Sequence, residues 1–247
     1  MSQPSTPPTP ATSTLPRTLV VTGGSTGIGA ATAAAFASVG WSVVSLARRP
    51  CPVEGVKSVA VDFAVEGWER IVEQDVLPLV ADGVVCVVHN AALLHKDDAL
   101  SLTAAGLRHI LDVNVVAPAV LNRLLAPRMK PGSSILFVGS TLSEKAVKNT
   151  ASYVTSKHAL VGLMRATCQD NAGRGIHTVC VCPGFVDTEM LRAHIQRDEG
   201  VLSALASMSG HGRLIRPGEI ADLLLSCATQ PVVDGAVIHA NLGQVER

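Results

Sequence analysis

With 247 residues, 47% of them apolar, the chain can bury the core of one large α/β domain. With only 3% aromatics, that core must be aliphatic and alanine-rich. The 20 basic and 20 acidic side chains cancel, which excludes the broad electrostatic footprint of a nucleic-acid or anionic-membrane binder.

Residues 1–16 are rich in Pro, Ser and Thr and lack both a basic n-region and an apolar h-region, so they read as a disordered tail and not as a secretory signal. No Arg precedes Arg17, which argues against a mitochondrial presequence. From residue 17 to 247 short β-type runs alternate with longer helical patterns. A strand is expected at Thr18–Thr22, then a glycine loop and an alanine-rich helix, Gly27–Val39, stopped by Gly40. Strands at Ser42–Ala47 and Lys57–Asp62 precede an amphipathic helix at Glu66–Leu77. A strand at Val84–His89 leads to a long helix, Ser101–Met129, with Pro118 at a kink or junction. The strand Ser134–Gly139 is followed by the helix Ser152–Ala172, apolar on more than one face. The strand Ile176–Cys182, a helix from Pro217 to Thr229 and the strand Ala236–Ala240 close the pattern. Most strands are continuously apolar, as strands covered on both faces are. The order predicts a doubly wound, seven-stranded parallel sheet with helices on both faces and ligands at the strands' carboxyl ends. No apolar run is expected to reach the ~18 residues that cross a bilayer; Val84–Val88 and its like are strand-sized.

The first strand runs into Gly23-Gly24-Ser25-Thr26-Gly27-Ile28-Gly29 and then a helix. Gly23 permits a tight turn, Gly27 lets backbone approach a pyrophosphate, and Gly29 lets helix and strand pack closely. The pyrophosphate would rest on the free N–H groups of the helix N-terminus. At the end of the second strand, where an acid would bind the ribose 2′-hydroxyl of NAD, stand Arg48 and Arg49. A guanidinium fork suits a 2′-phosphate, so NADP is expected, with Arg48 the better-placed contact and NAD the alternative.

Tyr153, the sole tyrosine, and Lys157 lie four apart, on one helix face. A free phenol titrates near 10, too high for acid–base work at neutrality. A neighbouring ammonium and a positive nicotinamide ring would lower it; three units correspond to about 4 kcal/mol. Ser140, thirteen residues earlier at a strand end, could hydrogen-bond the substrate oxygen. Asn114 could hold a water that relays protons to Lys157.

These residues resemble the classical short-chain dehydrogenase/reductase family from about Thr18 to Leu242. The motifs are Thr22-Gly23-x-x-x-Gly27-x-Gly29, Asp62, Asn90-Ala91-Ala92, Asn114, Ser140, Tyr153-x-x-x-Lys157 and Pro183-Gly184 with Thr188. The resemblance implies a single-domain Rossmann fold. It also implies an oxidoreductase in which Tyr153 is general acid or base, Lys157 binds the nicotinamide ribose, Ser140 orients the carbonyl and Asn114 completes a proton relay. Asp62 would bond the adenine, Asn90 shape the cofactor pocket, the Val186 backbone and Thr188 engage the nicotinamide carboxamide, and Ala91, Pro183 and Gly184 be further cofactor contacts. Residues 189–216 would be a mobile substrate lid, and the protein a homotetramer or homodimer. Two departures stand out: His89-Asn90-Ala91-Ala92 replaces the usual Asn-Asn-Ala-Gly, and Asn241-Leu242-Gly243 replaces Asp-Gly-Gly.

Met190 and Leu191, with Leu93, Leu94, Leu142 and Phe185, are candidates for an aliphatic substrate pocket, taking a small carbonyl or alcohol. The six cysteines form no C-x-x-C pair and read as buried hydrophobes in a reducing cytoplasm, with Cys180 and Cys182 on one strand face. The eight histidines are scattered, and no metal site is expected. A non-catalytic dinucleotide sensor is the competing class, disfavoured by the retention of Tyr153, Lys157, Ser140 and Asn114.

Overall fold

The aliphatic runs become seven strands in a computed structural model that describes residues 15–245. They are β1 Arg17–Thr22, β2 Ser42–Ala47, β3 Lys57–Ala60, β4 Val84–His89, β5 Ser134–Val138, β6 His177–Pro183 and β7 Ala236–Ala240. All pair in parallel, in the order β3-β2-β1-β4-β5-β6-β7. The order reverses between β1 and β4, which opens a crevice at their carboxyl ends. Of the expected tail, residues 1–14 lie outside the described residues; Pro16 offers its carbonyl to the Val84 N–H at 3.0 Å.

Side chains alternate between two cores. Leu19 and Val21 of β1 pack with Phe36 of helix α1 (Gly27–Ser38) and with Ile220 and Leu224 of a C-terminal helix, Pro217–Cys227. Val20 faces the opposite layer with Leu121, Leu160 and Met164. All are fully or almost fully buried, which is why the strands read as continuously apolar. Helix α1 stops as its sequence implies. Gly40, at φ +82°, donates to Ala37 O, and Trp41 donates to Phe36 O, the paired bonds of a left-handed C-terminal cap.

The next helical stretch opens as α2 (Trp68–Ile71), widens through a π turn, Val72–Val76, and tightens into a 3-10 turn, Leu77–Leu79. The long helix is α3 (Ala104–Leu111), a π turn over Asp112–Val116, and α4 (Ala117–Leu125). Pro118 sits in the first turn of α4; it lacks an N–H, so the helix absorbs it by widening just before it. The whole segment Ala104–Arg128, 25 residues at mean hydropathy 1.3, does have the length and apolarity of a membrane span, contrary to the sequence expectation. Its Val113, Ala117, Leu121 and Leu125 are buried in the core against the sheet, as in a core helix. Helix α5, Ala151–Asp170, covers the same face.

His89, at the end of β4, is buried against Phe137 with its Nε2 2.7 Å from Asn122 Oδ1 and its Nδ1 unpartnered among the described residues. Desolvation pulls its pKa down to about 4. The unfolded chain therefore binds a proton below about 6.5 that the folded chain refuses until about 4, and stability is lost as pH falls through that window. The loss should reach on the order of 3 kcal/mol. Urea unfolding of His89→Leu beside the parent at pH 6.5 and 4.5 checks this: the variant should lose the His89 share of the slope.

Candidate active site

The glycine loop turns sharply after β1. Gly23 takes φ +69° and donates to Leu46 O at 2.8 Å. Asn90, from the loop after β4, donates its amide to Thr22 O (2.9 Å) and Gly23 O (3.2 Å), while Ala91 N–H donates to Thr22 Oγ1 at 2.9 Å. Gly29 packs against this loop. A Cβ there would lie 2.3 Å from Gly23 O, so its hydrogen serves the loop's closure, and it stands behind the cleft wall instead of lining it. At Gly27 a Cβ would meet the Thr188 methyl at 3.1 Å. Thr26 caps α1 without a side-chain bond, and the first turn holds no acid, so its N–H groups are open to an anion.

A cleft of about 960 Å³ runs along the strands' carboxyl ends. Its wall takes in Gly23, Ser25, Thr26, Gly27 and Ile28 from the loop, Arg48 and Arg49 after β2, and Asp62 after β3. Asp62 accepts the Ala64 N–H at 3.0 Å. The two arginines differ. Arg49 Nη2 is held by Glu189 Oε2 at 2.9 Å across the cleft, whereas Arg48 is exposed on the rim with no ion pair among the described residues. Asn90, Ala91, Leu93 and Leu94 follow, then Ser140, Leu142, Tyr153 and Lys157, then Pro183, Gly184, Phe185, Val186, Thr188, Met190 and Leu191.

Tyr153 is the third residue of α5, one helical turn before Lys157. The lysine is buried, 3% exposed, and donates to Val138 O at 2.7 Å with its Nζ 5.5 Å from the phenol ring centre. Burial pulls the ammonium down to about 8 and pushes the phenol up to about 12, with the Ser140 hydroxyl working the other way on the phenol. Of the two charges expected to lower the tyrosine, the lysine does not do so without the nicotinamide: desolvation of the phenol outweighs it. The phenol is held neutral, as a proton donor needs. Ser140 caps the short turn Thr141–Ser143; its Oγ accepts the Leu142 N–H at 3.1 Å, leaving its proton to donate.

Asn114 lies in the π turn, buried and behind the cleft wall. Its Oδ1 accepts Leu93 N–H (2.8 Å), and its amide donates to Leu93 O (3.0 Å) and Ser156 Oγ (2.9 Å). Both amide protons are committed, so the side chain has none for a relay water. Its carbonyl, four residues before Pro118, has no α-helical N–H to meet it.

Beneath this group Cys180 and Cys182 stand side by side, Sγ atoms 3.8 Å apart, in space a Cβ on Gly139 would invade at 2.6 Å. The far end of the cleft holds residues the sequence reading passed over: stacked His95 and His109, ring centres 5.8 Å apart, and His194. They come from three separate segments, so no spacing signals them. Helix α6 (Glu189–His194), capped by Thr188, supplies the last wall, and α7 (Glu199–Ser207), capped by Asp198, follows it outside the lining. Met208 also lines the cleft. No group of three His, Cys, Asp or Glu suited to a metal occurs among the described residues.

A family model described as enoyl-(acyl carrier protein) reductase matches residues 23–244. The chain is 29% identical over 242 residues to the short-chain dehydrogenase fogB of Aspergillus ruber, covering 85% of this chain and 89% of that one. It is 29% identical over 243 residues to the acetoacetyl-CoA reductase of Shinella zoogloeoides, covering 92% and 98%. A blue fluorescent protein from a metagenomic library, solved in complex with NADPH, superposes with TM-score 0.80 at 25% identity, covering 92% and 97%. The match spans the glycine loop, the Tyr153 helix and β7 alike, and the chain belongs to the short-chain dehydrogenase/reductase family, oxidoreductases that act on CH–OH or C=O groups with a nicotinamide dinucleotide.

Proposed function

We propose that the chain is an NADP-dependent oxidoreductase that interconverts a carbonyl and a secondary alcohol, with Tyr153 as the proton donor in reduction. One observation carries the reading: Tyr153, Ser140 and Lys157 meet at the wall of the same cleft that takes in the open N-terminus of α1. The residues fit the cofactor. The uncapped first turn of α1 suits a pyrophosphate, Arg48 a 2′-phosphate, Asp62 and Ala91 the adenine side, and Pro183, Gly184, Val186 and Thr188 the carboxamide end. When bound, the nicotinamide gives or takes the hydride.

The chain does the rest. Ser140 donates to the substrate oxygen and fixes it beside the phenol. Tyr153 gives that oxygen its proton, and Lys157, one turn along, stabilises the phenolate that forms. Leu93, Leu94, Leu142, Phe185, Met190 and Leu191 exclude water around the reacting carbon, with 189–216 as the lid. Assembly as a homotetramer or homodimer is part of the reading, supported by Val116 standing 47% exposed just before α4, and light scattering tests it. Six free thiols support a reducing, cytoplasmic setting.

The test is oxidation of NADPH, followed by its absorbance, against ketones, 3-oxoacyl esters and, in reverse with NADP, hydroxyacids; no turnover on the panel would leave a dinucleotide-binding sensor. Arg48→Ala should weaken NADPH binding about 10–100-fold, the worth of charge-assisted bonds to phosphate, with NADH affinity unchanged. Equal loss for both, by fluorescence titration, would return the chain to NAD.

A further inference from the structure

The helix that carries Tyr153 does not cap itself. Thr150 stands at the cap position of α5, but its hydroxyl donates to Val147 O at 2.9 Å, and the first turn holds no acidic residue. The turn is met from outside. Asp97, from the loop after β4, accepts the Ser152 N–H on Oδ1 at 3.0 Å and the Ser152 hydroxyl on Oδ2, and its carbonyl accepts the Ala151 N–H at 3.4 Å. Its own N–H donates to Asn149 O at 3.2 Å. Ser152 is fully buried, and the next residue is Tyr153.

The same loop is pinned at two further points. Asn90 and Ala91 hold it to Thr22 and Gly23 of the glycine loop. At Leu93 the Asn114 amide grips it, and that amide also donates to Ser156 Oγ, which donates to the Tyr153 carbonyl at 2.8 Å. Segment 90–97 thus runs from the dinucleotide end of the cleft to both ends of the turn that bears the phenol.

We propose that Asp97 is a positioning residue for Tyr153: its carboxylate clamps the first turn of α5 to segment 90–97 and sets where the phenol stands in the cleft. A carboxylate on a helix N-terminus is favoured by the open N–H groups and the macrodipole, so the clamp is stiff as well as directional. The inference rests on Tyr153 being the proton donor.

The test uses two readouts on the full chain. In Asp97→Ala, kcat for carbonyl reduction should fall about 10–100-fold, the usual cost of a misplaced donor, with KM for NADPH within about twofold. The single tyrosine makes the second readout direct. Labelling the tyrosine at 13Cζ yields one resonance, which should shift and broaden in Asp97→Ala without substrate present. Asp97→Asn, which keeps an acceptor for the Ser152 N–H, should lie between the two. If the alanine variant does not fold, Asp97→Asn carries the test with a several-fold kcat loss and a shifted resonance. Parental kcat with an unmoved resonance overturns the clamp. So does a kcat loss that only tracks lost melting temperature and NADPH binding. A moved resonance in a protein that turns over no substrate supports the clamp and removes the hydride-transfer reading instead.

Discussion

Tyr153→Phe is expected to lower kcat by about 10²–10⁴-fold, the typical worth of a positioned general acid, while NADPH affinity and melting temperature stay near those of the parent. The ring remains, so packing in the first turn of α5 and beside Lys157 is kept, and only the hydroxyl near Ser140 is lost. The phenol sits well above its ordinary pKa, at about 12, so it is protonated throughout the working range and its removal deletes a donor, not a base. Water cannot replace it without a pocket, because the ring still fills the site. Single-turnover reduction with saturating NADPH is the measurement. Parental turnover in the variant would remove Tyr153 from the chemistry, whatever the family says.

Lys157→Met should abolish or cripple the same turnover and yet leave a more stable protein. The ammonium is buried with one short bond, to Val138 O, and desolvation holds its pKa near 8. The unfolded chain keeps that proton up to about 10.5, so between pH 8 and 10.5 it binds more protons than the folded chain, and stability climbs with pH. Below 8 the whole penalty stands, about 3 kcal/mol. Methionine removes the buried charge at similar volume but leaves Val138 O without its donor, a loss of about 1 kcal/mol. The net gain of about 2 kcal/mol should raise the melting temperature by about 4–8 °C at pH 7 and fade towards pH 10.5. A destabilised Lys157→Met at neutral pH would mean that the ammonium is better solvated than its burial implies. Stability yielded at the reacting group is the usual arrangement in active sites.

The strands, the glycine loop and the Tyr153–Lys157 pair are legible in the sequence because their signals are local. Continuous apolar runs and their alternation with helical segments placed all seven strands within two residues at each end, because burial on both faces leaves a composition that needs no partner to recognise. The glycine loop was legible because positive φ at Gly23 and Gly27 is a backbone demand that few other residues meet. The Tyr153–Lys157 pair was legible because a spacing of four is a helix-face relation whatever surrounds it.

What the tertiary structure decided lies in contacts between residues far apart in the chain. Arg48 and Arg49 are neighbours with the same chemistry, yet Glu189, 140 residues on, engages only the second. Asn114 is tied through its side chain to Leu93 and Ser156, contacts its place in the chain does not announce. Gly29 yields to its own loop, and Asp97 reaches 55 residues to cap the helix of Tyr153. Above all, the direction of the Tyr153 and Lys157 shifts was set by desolvation. Neighbours in sequence specify φ, ψ and periodicity; how much water a charged group keeps depends on what distant segments pack over it, and that is known only once the chain has closed on itself.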